Sequence, residues 1–381
     1  MAWFTCFGRK AESPTTRTID IEEEISSIQN IRLYSYKELQ IASNDFSVVN
    51  KIGRGGFGSV YKGKLKDGTL VALKVLSVES SQGVREFLTE INTISAIQHE
   101  NLVSLCGCCV EGGHRIVVYG YLENNSLAQT LLAGGVRSNI KFSWKIRTKI
   151  CIGVALGLAF LHEEIQPHVV HRDIKASNVL LDKDLTAKIS DFGLAKLFPP
   201  HLTHISTRVA GTLGYLAPEY ALRGQLTRKA DIYSFGVLLL EIVCGRCNKN
   251  DRLPAEEKYL LEKAWVLYSN NKLKELMDVS LEGDQDFDLD EACKFVKISF
   301  LCTQQMPKLR PSMSTVVKML RGEIGVDEMK ISQPGLVSEY FESKNTSDAS
   351  SSGLGKQDNS TGDTTMTHGT MTFSSIYNRS P

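Results

Sequence analysis

Eight consecutive residues, His171-Arg172-Asp173-Ile174-Lys175-Ala176-Ser177-Asn178, are followed by Asp191-Phe192-Gly193, which begins thirteen positions after Asn178. Moving a phosphoryl group needs a carboxylate to orient the attacking hydroxyl, and oxygen ligands to hold a divalent metal against a triphosphate. Asp173 suits the first task, and Asn178 and Asp191 suit the second. A three-residue match would mean little. An eight-residue string followed at hairpin distance by a second one is specific.

Upstream, Gly53-Arg54-Gly55-Gly56-Phe57-Gly58-Ser59-Val60 is a glycine-rich loop, and glycine lets a backbone approach phosphates closely. A lone GxGxxG equally suggests a dinucleotide fold, but that fold needs a helix directly after the loop, and these residues continue as a strand. Lys74, sixteen positions past Gly58 in Val71-Ala72-Leu73-Lys74, can reach nucleotide phosphates; the alternative is an ordinary strand-edge lysine. Glu90 flanks the apolar face of Phe87, Ile91 and Ile94, where it can pair with Lys74. Glu86, one turn earlier, is its rival.

These groups need elements to position them. Val48–Ile52 and Val60–Leu65 read as hairpin partners, and Lys66-Asp67-Gly68-Thr69 supplies a turn. Leu70–Leu76 reads as a third strand, followed by the helix of Phe87, Ile91 and Ile94, then strands around Leu102–Val110 and Arg115–Tyr119. Beyond Tyr121 the pattern turns helical: Ile150, Val154, Leu158 and Leu161 share a face, and Ile232–Val243 is apolar nearly all round. The fold class expected is α+β, a small β-rich lobe with one main helix and a larger helical lobe. The organisation reads as an extension at 1–45, lobes at 46–120 and 121–322, and a Ser/Thr-rich tail at 323–381, mostly disordered by composition.

The 381-residue chain carries a net charge of +1, which leaves no electrostatic footprint for nucleic acid. Its nine cysteines lack framework spacing and fit a reducing compartment. Cys106, Cys108 and Cys109 could suggest metal, but no second pair stands at zinc spacing, so they read as core thiols. No apolar run approaches the roughly 18 residues that span a bilayer, and Met1–Lys10 does not read as a secretory signal. Ala2 excludes N-myristoylation, yet Trp3, Phe4 and Phe7 surround Cys6, with Arg9 and Lys10 behind. Cys6 is therefore a lipidation candidate for peripheral contact with the inner face of the plasma membrane, the alternative being a free thiol.

Taken together, these strings resemble a eukaryotic protein kinase over about residues 46–322, and within that family a plant receptor-like cytoplasmic Ser/Thr kinase. The narrower likeness rests on Tyr34-Ser35-Tyr36-Lys37-Glu38-Leu39, on the run Val118–Leu127, on Gly211–Tyr220 and on Leu309-Arg310-Pro311-Ser312-Met313. Tyr259–Trp265 resembles the cold-responsive protein kinase type. The resemblance implies a bilobal protein-kinase fold that uses ATP and Mg2+, with Mn2+ as an alternative. It implies protein substrates, receptor-kinase partners and a cytoplasmic location. It puts Ile52, Gly53, Gly55, Gly58 and Val60 over the nucleotide, and Val60, Ala72 and Leu180 against the adenine. It makes Tyr119 the back of the adenine pocket and Gly120, Tyr121 and Leu122 the hinge. Lys74 and Glu90 become the ion pair, and Asn178 and Asp191 the metal ligands. Lys175 would contact the γ-phosphate beside Asp173, buttressed by Thr212. Ile94, Leu105, His171 and Phe192 would form a spine, Asp231 would anchor the catalytic loop, and Glu219–Arg310 would be a structural ion pair.

Arg172 precedes Asp173 and invites an anionic partner. Thr207, then Ser206, are the candidate phosphorylation sites on the activation segment, and Thr212 is a third sensitive position. Two rival classes are a catalytically silent scaffold, which the intact Lys74, Asp173, Asn178 and Asp191 oppose, and the inner portion of a membrane receptor.

Overall fold

Runs of β-branched and apolar residues broken by glycine turns build the first part of the chain. A computed structural model describes residues 25, 28, 31–55, 58–76, 81–133, 139–336 and 372–373. The chain divides into two units, Met1–Ile97 with Ser104–Tyr121, and Gln98–Val103 with Leu122–Pro381. The small excursion 98–103 joins the second unit through its backbone and one amide side chain. Val103 N donates to Ile189 O at 3.0 Å, Ile189 N donates to Asn101 O at 2.8 Å, and Asn101 Nδ2 donates to Ala187 O at 3.0 Å.

The first unit begins with helix α1 (Tyr36–Ala42), capped by Ser35, whose hydroxyl accepts from Glu38 N at 3.2 Å. Strands β1 (Lys51–Gly55), β2 (Gly58–Lys64) and β3 (Leu70–Leu76) follow, then α2 (Ser81–Ile94), β4 (Leu105–Glu111) and β5 (His114–Gly120). The five strands form one antiparallel sheet in the order β1-β2-β3-β5-β4. The Asp67-Gly68 turn closes β2 onto β3, with Asp67 Oδ1 accepting from Thr69 N at 2.9 Å. Val48–Asn50 is a 3-10 turn and not the start of β1. Val48 and Val49 are 83% and 92% exposed, so no packed face draws them into the sheet.

The extension read at 1–45 enters the core over its described part. Tyr34 and Leu39 are buried in one cluster with Leu65, Val71, Leu73, Cys109, Ile116 and Val118. Tyr34 N donates to Cys108 O at 2.9 Å, which ties this segment to β4. Cys108 and Cys109 are buried and Cys106 partly so. Burial pushes the Cys108 thiol up to about 12. No group of three or more metal-ligating side chains occurs among the described residues.

The second unit starts with α3 (Trp144–Ala159) and passes through β6 (His168–Val170), β7 (Val179–Leu181), β8 (Ala187–Ile189) and β9 (Lys196–Phe198). The chain continues with β10 (Ile205–Ser206), β11 (Ala210–Gly211), α4 (Pro218–Arg223), β12 (Gln225–Leu226) and α5 (Arg228–Cys244). Helices α6 (Leu260–Ser269), α7 (Leu289–Thr303) and α8 (Met313–Leu320) complete it, with a two-residue strand β13 (Thr372–Phe373) near the C-terminus. Helix α5 is buried almost throughout, as its apolar sequence demands. It lies close against α7: a Cβ on Gly236 would stand 2.7 Å from Cys302 Cβ. Short antiparallel pairs β6–β9 and β7–β8 carry the loops between them, and β10 pairs with β12. Strand β13 lies parallel to β11.

The described part of the second unit runs past 322. Val326 is fully buried, and Gly335 O accepts from Tyr233 Oη at 2.5 Å. The rest of the tail, 337–371 and 374–381, lies outside the described residues, as do Cys6 and the first ten residues.

Candidate active site

In the first unit, the glycine loop is the connection between β1 and β2. Gly55 faces Gly58 across the pair, and Gly56 and Phe57 between them lie outside the described residues. Gly58 has φ +155°, and a Cβ there would stand 1.9 Å from Val75 O, so no other residue fits. Ile52, Gly53 and Val60 sit on this hairpin, and Ala72 and Lys74 on β3 beside it.

Lys74 Nζ lies 3.0 and 2.8 Å from the two carboxylate oxygens of Glu90 on α2. Glu86 accepts instead from Gln82 Nε2 at 3.0 Å. Glu90 is wholly buried, and the Tyr119 hydroxyl on β5 donates to its Oε1. That hydroxyl contact was not legible in the sequence, which assigned Tyr119 only to the adenine pocket. The cross-strand register explains it: Ala72 faces Tyr119 and Lys74 faces Val117, so residue 119 lies two positions from the lysine on the neighbouring strand. Tyr121 N donates to Leu70 O at 3.3 Å, and Lys62 Nζ stands 4.3 Å from the centre of the Tyr121 ring.

In the second unit, the loop between β6 and β7 carries Asp173, Lys175 and Asn178. Asp231, buried on α5, holds its start: Oδ2 accepts from His171 N at 2.6 Å and Oδ1 from Arg172 N at 2.8 Å. His162 Nε2 is a third partner at 3.0 Å. Burial works against the Asp231 charge, but these donors outweigh it and hold the carboxyl below its usual range. His162 was assigned no role from sequence, since nothing local marks a histidine whose partner is 69 residues away. Arg172 takes a left-handed φ of +72°, a strained geometry that this clasp maintains.

Asp173 is almost fully buried and has three side-chain partners. Thr212 Oγ1 donates to Oδ1 at 2.7 Å. Lys175 Nζ lies 2.7 Å and Asn178 Nδ2 3.1 Å from Oδ2. Lys175 Nζ also donates to Thr212 Oγ1 at 2.8 Å, so the threonine touches both the lysine and the aspartate. The sequence anticipated only the first of these contacts. Asn178 Nδ2 donates to Asp173 O at 2.9 Å, and its amide oxygen accepts from Ser177 Oγ at 3.4 Å.

Asp191 follows β8 in a left-handed conformation, φ +69° and ψ +68°. Phe192 after it is buried and meets His171 edge to face at 4.8 Å. His171 Nδ1 accepts from Asp173 N at 3.3 Å, so its Nε2 carries the proton donated to Ser190 O at 3.1 Å. Leu180 lies on β7, paired with Lys188. Ser206 is exposed on β10 opposite Gln225, and Thr207 N donates to Gly224 O at 3.1 Å. Glu219 and Arg310 form a bidentate pair at 2.7 and 2.9 Å, away from Asp173 in the α4 and α8 region.

Such a carboxylate, fixed by a lysine, a threonine and an asparagine, can orient a hydroxyl nucleophile. Residues 46–320 match the protein tyrosine and serine/threonine kinase family. The chain belongs to that family and is a protein serine/threonine kinase, with a bilobal α+β fold. It is 64% identical to cold-responsive protein kinase 1 of Arabidopsis thaliana over 90% of this chain and 86% of the relative. It is 53% identical over 82% of its length to a probable LRR receptor-like serine/threonine-protein kinase of the same plant, and 51% identical over 89% to another. The chain spans about a third of the length of these receptor-like relatives. Kinases of this family use ATP and a divalent metal and act on proteins. No helix among the described residues is long and apolar enough to cross a membrane.

Proposed function

We propose that this kinase transfers the γ-phosphate of Mg2+-bound ATP to Ser/Thr hydroxyls through Asp173, with Lys175 steadying the phosphate. The observation that carries this reading is the Asp173 carboxylate held by Thr212, Lys175 and Asn178. One carboxylate oxygen engages the threonine and the other the lysine and asparagine. The acceptor hydroxyl approaches this group and passes its proton there as its oxygen bonds to the γ-phosphorus, while the bond to the β,γ-bridging oxygen breaks and ADP leaves with the electron pair. Lys74, held by Glu90, binds the α- and β-phosphates, and Ile52, Gly53, Gly55, Gly58 and Val60 cover them. Val60, Ala72 and Leu180 flank the adenine, with Tyr119 behind it and Tyr121 and Leu122 as the hinge.

Asn178 and Asp191 supply one amide and one carboxylate oxygen. That set of oxygen donors would suit Mg2+ and would also accommodate Mn2+. The metal would neutralise charge on the β- and γ-phosphates during transfer.

The names of the relatives support a stress-linked or receptor-linked signalling context, and receptor kinases are the partners proposed for it. Peripheral attachment at the inner plasma membrane through an acylated Cys6 extends this reading. Wild type should lose its membrane fraction after hydroxylamine, and Cys6→Ser should lack that fraction from the start. Equal fractions throughout would remove the acylation.

The decisive test of catalysis is Asp173→Asn. It keeps the shape of the loop and removes the charge that orients the hydroxyl. Turnover on a generic protein substrate should fall by roughly two orders of magnitude or more, since general-base and positioning effects are each of that size. Near-wild-type turnover in the purified variant would overturn the assignment.

A further inference from the structure

We propose that residues 332–335 form a strap that sets the position of α4 and, through α4, of the loop that carries Asp173. This rests on the role given to Asp173 above. The family match ends at residue 320, so the strap lies beyond it. Its backbone runs antiparallel to the end of α7, with Pro334 opposite Gln304. Gly335 N donates to Thr303 O at 2.9 Å, which satisfies a carbonyl that a helix end leaves without an intrahelical partner. Gln305 N donates to Gln333 O at 3.4 Å, and Ser332 Oγ donates to Gln304 Oε1 at 2.8 Å. Gln304 is held in turn, its Nε2 donating to Leu301 O at 3.2 Å and to Leu309 O at 3.0 Å. Pro334 and Gly335 are buried.

The strap meets the Glu219–Arg310 pair. Tyr233 joins the two: its hydroxyl donates to Gly335 O at 2.5 Å, and the centre of its ring lies 5.1 Å from Arg310 Cζ. Arg310 Nε donates to Gln304 O at 2.8 Å and Nη2 to Gln305 O at 3.4 Å, so the guanidinium grips the same turn that the strap pairs with. Against α4 the contact is direct. A Cβ on Gly335 would stand 2.7 Å from Pro218 Cγ and 3.1 Å from Gln305 Cα. Pro218 is the first residue of α4 and Glu219 the second. The strap therefore presses on α4 beside the ion pair that anchors it.

Helix α4 passes this position on to the catalytic loop. The Tyr220 hydroxyl accepts from Arg172 Nε at 3.0 Å and Nη2 at 2.5 Å. It also accepts from Ala210 N at 3.0 Å and donates to Arg208 O at 3.1 Å. Arg172 directly precedes Asp173. Ala210 stands two positions before Thr212, whose hydroxyl donates to the Asp173 carboxylate at 2.7 Å. One buried tyrosine on α4 thus holds the chain on both approaches to that carboxylate. A shift of α4 would disturb these bonds together, since coupling travels through contiguous packing and hydrogen bonds of this kind. The strap is a positioning element that acts on the reaction only through α4.

The test compares the purified full chain with Gly335→Val, Tyr233→Phe and Gly325→Ala. It follows turnover of a generic protein substrate, thermal melting and amide hydrogen exchange. Gly335→Val places atoms where Pro218 and Gln305 stand, and Tyr233→Phe removes only the hydroxyl that reaches Gly335 O. Nothing lies within 4 Å of a Cβ on Gly325, so Gly325→Ala is the control between α8 and the strap. Gly335→Val should lower kcat roughly tenfold or more, since a small misplacement far from the chemistry costs that much. It should leave KM for ATP unchanged and speed exchange at Gln305, Tyr220 and Ala221. Tyr233→Phe should act in the same direction to a smaller extent, and the control should match wild type. Faster exchange at Gln305 with unchanged kcat would overturn the strap and spare the reading of Asp173. A loss of kcat no larger than the unfolded fraction in the melt would overturn it in the same way. If Gly335→Val does not fold, Tyr233→Phe decides by the same outcomes. Near-wild-type turnover in Asp173→Asn would overturn the reading of Asp173 and the strap with it.

Discussion

Among the described residues, the acceptors of the Arg172 guanidinium are uncharged. It reaches Leu194 O at 3.0 Å, Arg208 O at 2.9 Å and the Tyr220 hydroxyl at 3.0 and 2.5 Å. Thr207 immediately precedes Arg208, and Ser206 precedes Thr207. A phosphate on either would bring charge-assisted acceptors to a site now served by carbonyls and a phenol, each such bond worth about 1.5–3 kcal/mol. The expected outcome is that Ser206→Ala/Thr207→Ala lowers kcat/KM by about tenfold or more, tenfold being about 1.4 kcal/mol. Mass spectrometry of active wild type should find the phosphate on this segment. Full activity in the double variant would remove the switch. Thr212 belongs to a different case, since its hydroxyl already serves Asp173 and Lys175.

Helix α5 carries two buried carboxylates that titrate in opposite directions. Asp231 has an imidazole and two backbone N–H groups on its oxygens, and these outweigh its burial. Glu241 has the Tyr215 hydroxyl at 2.8 and 2.7 Å and Asn248 N at 2.7 Å. Burial dominates there, and the carboxyl is pushed up from 4.5 to about 7. The two therefore act on stability with opposite sign. The stability that Asp231 contributes is present above its usual value of 3.8 and is lost as pH falls through its lower folded value. The contribution from protonated Glu241 is complete below pH 4.5 and is lost as pH rises through about 7. That loss is of order 3 kcal/mol at 1.36 kcal/mol per unit. Urea unfolding between pH 5 and 8 should show the decline in wild type, and Glu241→Gln should flatten it. An unchanged slope in the variant would locate the titration elsewhere. Through Tyr215 this buried acid also holds the segment that follows Thr212.

At the scale of the whole molecule, binding of the proposed nucleotide is linked to stability. A ligand bound only by the native state stabilises it by about 2.7 kcal/mol at one hundred times its Kd. For a chain of this size that corresponds to a rise in Tm on the order of 3–5 °C. ATP with Mg2+ should produce this rise in a thermal melt. Asp191→Asn should lose most of the part that depends on Mg2+. Equal shifts with and without metal would argue against Asn178 and Asp191 as its ligands.

The amino-acid sequence by itself determined the reactive strings and most of the elements beneath them. Strand β3 coincides with the run read at Leu70–Leu76, and the buried length of α5 with Ile232–Val243, because apolar periodicity is a local property. Asp173, Asn178 and Asp191 could be read as one candidate group because the stretch that joins them is short. The tertiary structure alone decided who touches whom across long separations. Thr212 meets Asp173 across 39 positions and Tyr119 meets Glu90 across 29. His162 reaches Asp231 across 69, and Tyr34 and Leu39 enter a core whose other members lie beyond residue 64. Hydrogen bonds and packing of this kind leave no periodic trace in the chain. They arise only when strands in register and a buried helix bring distant backbone positions within a few ångströms of each other.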